Sequence, residues 1–232
     1  MVAVAERDQR LVFLHVAGNR AKLVSVLSLE GFAEGQDAES LAWMGKGHFA
    51  VGTERHVPSR AYDEIFFYQL NDHAGVPSKA VRTDVLRLSY GLWGIQAEEN
   101  RGIEGACFAG STLLVGVETT LESQGQRYAP LARYDIHAKV WTGFRLRLTS
   151  QQGLLSSLAC RLDSTHKALE VLAIERFYET SRLLTFHVPI QGTGRDILPV
   201  MVQDLAALTP EKVPNWEGIA WGDDGTYLLL ND

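Results

Sequence analysis

Two sets of acids recur at fixed places in this 232-residue chain. One set opens short apolar runs at Glu39, Glu104 and Glu217, with Ser156 at the fourth such place; the other closes the following run at Glu54, Glu118, Glu175 and Asp232. Carboxylates in such numbers suit acid–base chemistry, or the oxygen-rich coordination that a hard cation such as calcium takes. They cannot crowd together without consequence. Two of them about 4 Å apart repel by about 4 kcal/mol at an effective dielectric of about 20. A ring of seven must therefore hold protons, cationic partners or a metal ion. Arg55 and Arg176 directly follow two of the closing acids, and Arg101 stands just ahead of Glu104. These guanidinium groups could neutralise the acids or stabilise negative charge developing in a reaction.

The elements that must position these residues form a repeat. The segments 39–54 (ESLAWMGKGHFAVGTE), 104–118 (EGACFAGSTLLVGVE), 156–175 and 217–232 (EGIAWGDDGTYLLLND) are degenerate copies, each an apolar run, a turn and a second apolar run. Between them lie two further strand-like runs, at 65–70, 131–136 and 183–188, then at 84–88, 143–148 and 196–202. Their apolar residues alternate with period two, as in strands. One repeat is thus four strands. The chain begins with the last two of a repeat (11–16 and 23–29) and ends with the first two, so four repeats average about 58 residues in 232, somewhat above the roughly 40–50 of familiar propeller repeats. The pattern predicts an all-β protein, one β-propeller domain of four blades of four antiparallel strands. The N- and C-terminal strands share the closing blade, which leaves no open end blade. The blades fall at about residues 38–90, 102–150, 154–203, and 215–232 completed by 9–31; a single helical turn is expected near 203–208. If the first strand of each repeat is innermost, both sets of acids meet on one rim of the central channel.

The remaining candidates carry less chemistry. Trp43, Phe108 and Trp221 share one repeat position and read as packing between blades. His48 and His56 flank the second strand of the first copy without a ligand-spaced partner, while His15 and His187 repeat with the third strand. Gly45-Lys46-Gly47 is a hairpin turn, and no nucleophile elbow, zinc helix or phosphate-binding loop occurs. Cys107 and Cys160 fall at adjacent repeat positions, which point to opposite faces of a strand, so a disulfide between them is not expected. The formal net charge of −6, with no Lys or Arg run, argues against nucleic acid as a partner. No apolar run approaches a membrane span, and Glu6, Arg7 and Asp8 interrupt the place of a signal peptide's apolar stretch. The chain as given reads as soluble, cytoplasmic, or periplasmic or secreted if a leader has been removed.

Three motifs carry a family resemblance: Asn215-Trp216-Glu217-Gly218-Ile219-Ala220-Trp221 followed by Leu228 to Asp232; Asn100-Arg101-Gly102-Ile103-Glu104-Gly105 leading to Val115 to Glu118; and Leu172 to Tyr178. Together they resemble the phytase-like β-propellers described as having esterase-like activity of phytase. The resemblance implies a secreted or periplasmic protein whose carboxylate-rich, calcium-dependent mouth acts on phosphate esters or other esters. Ser156 departs from the pattern, standing where the other copies carry Glu. On this reading Glu39, Glu54, Glu104, Glu118, Glu175, Glu217 and Asp232 hold Ca2+, and Glu104, Glu217, Arg55 and Arg176 serve the reaction on a small anionic or ester substrate. The alternative is a non-catalytic propeller whose rim binds a small ligand or a protein, its acids and arginines paired structurally.

Overall fold

The computed structural model describes residues 1–5, 8–18, 20–73, 76–208, 215–222 and 225–231. Every regular element in it is a strand, apart from two 3₁₀ turns at Tyr90–Leu92 and Ala206–Leu208; the second is the helical turn expected before Pro210. Strands β1 (Val2–Ala5), β2 (Arg10–Ala17) and β3 (Arg20–Ser28) form an N-terminal sheet. The first full blade is β4 (Gln36–Gly45), β5 (His48–Arg55), β6 (Tyr62–His73) and β7 (Val76–Ser89), paired in that order. The second contains β8 (Gly105–Ala109), β9 (Thr112–Gly116), β11 (Gln126–Asp135) and β12 (Val140–Arg147), with the short β10 (Leu121–Ser123) paired to β11. The third is β13 (Leu154–Leu162), β14 (Ala168–Phe177), β15 (Thr180–Pro189) and β17 (Met201–Asp204). A two-residue strand, β16 (Asp196–Ile197), and the hairpin β18 (Trp216–Trp221) and β19 (Tyr227–Asn231) complete the set.

These sheets form the four-bladed propeller that the repeat predicts. The two chain ends supply the fourth position, the β18–β19 hairpin against the third blade and the N-terminal sheet against the first. Among the described residues no ladder joins β19 to the N-terminal sheet. That sheet also has an inner strand that the repeat pattern does not reveal: β1 pairs with β2 and lines the channel. The core lies between blades. Ala42, Ile65, Ile103 and Leu113 fill the gap between the first and second, while Leu114, Phe144, Leu155 and Phe186 fill that between the second and third. Burying a Leu or Phe side chain of this kind contributes roughly 1.5–3 kcal/mol, so packing face against face stabilises sheets that could not stand alone.

Two local expectations are corrected. Residues 196–202 do not form one outer strand. Pro199 has no backbone N–H to give to a ladder; ahead of it Asp196–Ile197 pairs in parallel with β12 of the second blade, and after it Met201–Asp204 closes the third. Arg145 fastens this clamp through two hydrogen bonds to Asp196, at 2.7 and 2.9 Å. The second correction concerns the cysteines, which form a disulfide between β8 and β13. Their positions do point to opposite faces of the repeat, but neighbouring blades stack front to back. The face of β8 that looks toward the third blade is therefore the opposite of the face of β13 that looks back, and opposite-facing residues are the ones that meet.

Candidate functional site

The innermost strands β4, β8, β13 and β18 stand side by side around a channel of about 1020 Å³. The acids that open each repeat share one backbone feature there. In β4 the ladder skips from Ala38 to Ser40, in β13 from Leu155 to Ser157 and in β18 from Trp216 to Gly218. The skipped residues are Glu39, Ser156 and Glu217, and Glu104 sits just outside the first ladder pair of β8. A bulge re-aims a side chain and bends its strand; here it recurs in three of the four inner strands, and all four residues line the channel. Ser156 does not replace a carboxylate in kind. Its hydroxyl donates to the Trp216 carbonyl at 3.2 Å, fastening β13 to β18.

Glu104 is the most perturbed of the group. Burial pushes its pKa well above the usual carboxylate range; Glu39, then Glu118 and Glu54, push it further, and Arg176 pulls the other way. It still keeps some accessible surface, because it lines the channel while protein surrounds it. Glu118 is pushed up to about 7, first by burial and also by Glu54 and Glu98, against the lowering fields of Arg101 and Arg176. Glu54, 3% exposed, is raised by burial too, opposed by the Gly102 N–H, which donates to its Oε2 at 2.7 Å. That approach requires a glycine: a Cβ at residue 102 would stand 2.4 Å from the Cβ of Glu54. The shared direction of these shifts has one leading cause, burial that disfavours the charged form, and neighbouring carboxylates add to it.

Arg176 is the cation at the centre of this group. It lines the channel, donates to Glu217 Oε1 and stands in the field of both Glu104 and Glu118. Its buried Nε has no hydrogen-bond partner among the described residues. Glu217 Oε1 also accepts from Asn215 at 2.6 Å. The structure thus brings Glu39, Glu54, Glu104, Glu118, Glu217 and Arg176 to one channel.

Two expected members are placed elsewhere, and one lies outside view. Glu175 is fully buried and faces the loop before β13, where it accepts from the Thr149 and Ser150 backbone N–H groups and hydroxyls at 2.5–3.2 Å; it caps a turn. Arg55 donates to Glu64 of its own blade at 2.7 Å and does not line the channel. Asp232 lies outside the described residues. His56 contacts Asp37 at 2.9 Å, half exposed and off the channel. Among the described residues, no three His, Cys, Asp or Glu side chains are grouped to hold a metal ion.

One set of supporting residues escapes sequence reasoning. Buried Arg60 makes two hydrogen bonds to Asp63, at 2.6 and 2.8 Å, and also donates to the carbonyls of Val57, Glu98 and Arg101. Tyr90 donates to the same Asp63. This network holds the 98–101 loop, which delivers Gly102 to Glu54 and Glu104 to the channel. Asn100 in that loop has φ +54°, a backbone conformation Asn tolerates better than most residues. Nothing in the spacing of Arg60, Asp63 and Tyr90 signals the association; only the Asn-Arg-Gly-Ile-Glu-Gly run hints at a specialised turn.

A family model described as "Phytase-like: Esterase-like activity of phytase" matches residues 9–232, nearly the whole chain. No curated protein matches. Among the described residues no helix is long and apolar enough to cross a membrane.

Proposed function

The chain belongs to the phytase-like family, and on that premise we propose that it hydrolyses esters, of phosphoric or carboxylic acids, at the acidic end of its channel. The observation that carries this reading is that Glu104 and Glu118 line one channel within the field of Arg176. Burial pushes Glu118 up to about 7, where a general base is most effective at neutral pH, and Glu104, raised well above the usual carboxylate range, holds its proton more tightly than a free carboxyl and can donate it. Glu118 takes a proton from water as the water oxygen bonds to the ester's carbonyl carbon or phosphorus. Arg176 stabilises the negative charge that develops on the acyl or phosphoryl oxygen. The bond to the leaving oxygen then breaks, Glu104 protonates that oxygen, and an acid and an alcohol depart. Exchange with solvent restores both carboxyls.

Calcium belongs to the same expectation. An all-oxygen donor set whose charges repel one another suits a hard cation, but the described side chains do not converge on one. Every step proposed here therefore runs through the chain's own residues. The non-catalytic alternative draws on the acids already in structural use, Glu175 in its turn and Glu217 with Arg176. A disulfide persists in oxidising compartments, so the Cys107–Cys160 bridge supports the periplasmic or secreted location over the cytoplasm.

The test is a panel of p-nitrophenyl phosphate, phytate and p-nitrophenyl carboxylic esters, run with calcium and with chelator. Turnover on at least one ester, falling on the order of a hundredfold in Glu118→Gln, supports the reading. No turnover on any, with the protein folded, moves the assignment to a binding propeller.

A further inference from the structure

The channel has a second tier that the proposed chemistry does not use. Four residues beyond each opening acid stand Trp43, Phe108, Cys160 and Trp221, all lining the same cavity. At about 3.3 Å per residue the two tiers are about 13 Å apart. On β4 the alternating, less buried positions Glu39, Leu41 and Trp43 share one face, so an acid, an aliphatic side chain and an aromatic ring follow one another along the channel wall. Val2 and Val4 of β1 also line the space, whereas Leu158 and Ile219 reach it with less than a tenth of their surface, at 4% and 9% exposed. Trp43 is 42% exposed although it stacks on Phe49, with ring planes 7° apart. Phe108 and Trp221 also pack partly into the gaps between blades. Arg161 lies 3.9 Å over the Trp221 ring and bonds Glu170, which directs its charge away from the acid tier. The aromatic positions therefore both pack and present surface.

We propose that the substrate is amphiphilic: its ester group lies at Glu104, Glu118 and Arg176, and its apolar chain runs past Leu41 to Trp43, Phe108 and Trp221. This rests on the proposed hydrolytic reading and supplies its substrate class. Volume and charge both decide for it. A cavity of about 1020 Å³ is at the upper end for small-molecule sites, far more than a short ester fills. An opening lined by at least five carboxyls and one channel-facing arginine repels a compact polyanion, whereas a single anionic or neutral head meets one repulsive tier and an apolar tail gains surface beyond it. Leu41 and Trp43, with the partly exposed Phe108 and Trp221, offer that tail apolar surface, so selectivity reads chain length more than head-group identity.

Calorimetric titration of the oxidised protein with methylphosphonate and octylphosphonate, neither of which is hydrolysed, tests the inference. Each methylene buried adds roughly fourfold in affinity, and with part of the chain covered the octyl compound binds on the order of a hundredfold more tightly. Trp43→Ala, a change at a partly exposed residue, reduces octylphosphonate affinity about tenfold and leaves methylphosphonate unchanged. Equal affinity for the two phosphonates in the wild-type protein overturns the proposal, and so does a length dependence that Trp43→Ala leaves intact. Length-dependent binding without turnover on any ester sinks the hydrolytic reading but keeps the amphiphile site. Turnover that is indifferent to acyl length, from acetate through butyrate to octanoate, keeps the chemistry and sinks the amphiphile site.

Discussion

Removing the bridge between β8 and β13 is predicted to cost this protein more stability than any single surface change. Cys107 and Cys160 are 53 residues apart in sequence, and their link closes a loop that holds most of the second blade and the start of the third. Confining a denatured chain by a loop of that length removes about 14 cal/mol/K of entropy, about 4 kcal/mol at 25 °C. For a chain of this size each kcal/mol moves Tm by about 2–4 °C, so the loss amounts to roughly 8–16 °C. The perturbation is Cys107→Ala with Cys160→Ala, which keeps small apolar groups against Leu114 and Leu158 and avoids two unpaired thiols. Urea denaturation of wild type and variant, monitored by tryptophan fluorescence, gives the difference. A thiol-titrating reagent applied to unreduced, unfolded wild type should find no free thiol. A variant within about 1 kcal/mol of wild type refutes the loop-entropy reasoning, and free thiols in the native preparation refute the bridge itself.

Other outcomes follow from the channel and its supports. The raised acids make stability fall with pH: the denatured chain releases these protons near 4.5, whereas the folded protein keeps the Glu118 proton to about 7 and holds the Glu104 proton well above the usual carboxylate range. The Glu118 contribution is complete below about 4.5 and is lost as pH rises through about 7, and that of Glu104 is lost in the same direction. Melting curves should therefore decline across that interval, and the decline should shrink in Glu104→Gln with Glu118→Gln. Glu175→Ala leaves the Thr149 and Ser150 N–H groups without their acceptor and should lower unfolding free energy by about 3 kcal/mol, without moving the pH dependence of any turnover. Arg176→Met should raise KM for anionic substrates and lower kcat, while the more distant Arg55→Met should leave both near wild type.

Much of the fold is legible in the sequence because a propeller states its plan four times. Period-two runs separated by Gly-rich turns give the strands, and the unequal chain ends imply that both contribute to one position. What was not legible depends on relations between blades or on single breaks in the pattern. β1 has no counterpart in the copies to reveal it. Pro199 splits a run whose hydrophobicity is continuous, and that split sends Asp196 to another blade. The cysteine pair shows the limit most plainly: aligning copies compares equivalent positions, but the contact forms between non-equivalent faces of adjacent copies. The acids were legible as a group because they recur at the two ends of each copy, Glu39, Glu104 and Glu217 opening it and Glu54, Glu118 and Glu175 closing it. Whether each carboxyl enters the channel was not, since that depends on partners such as the Ser150 N–H for Glu175 and the Gly102 N–H for Glu54. The buried Arg60, Asp63 and Tyr90 network, which holds the Glu104 loop, carries no periodic signature at all.

The most direct test of the channel as a reaction centre is the pH profile of kcat/KM for the best substrate of the ester panel, measured for wild type and Glu118→Gln. The account predicts that wild-type activity rises through pH about 7 as Glu118 gives up its proton, and that this rise disappears together with most of the activity in the variant. A wild-type profile that is flat through neutrality, or a rise that persists in Glu118→Gln, would contradict it.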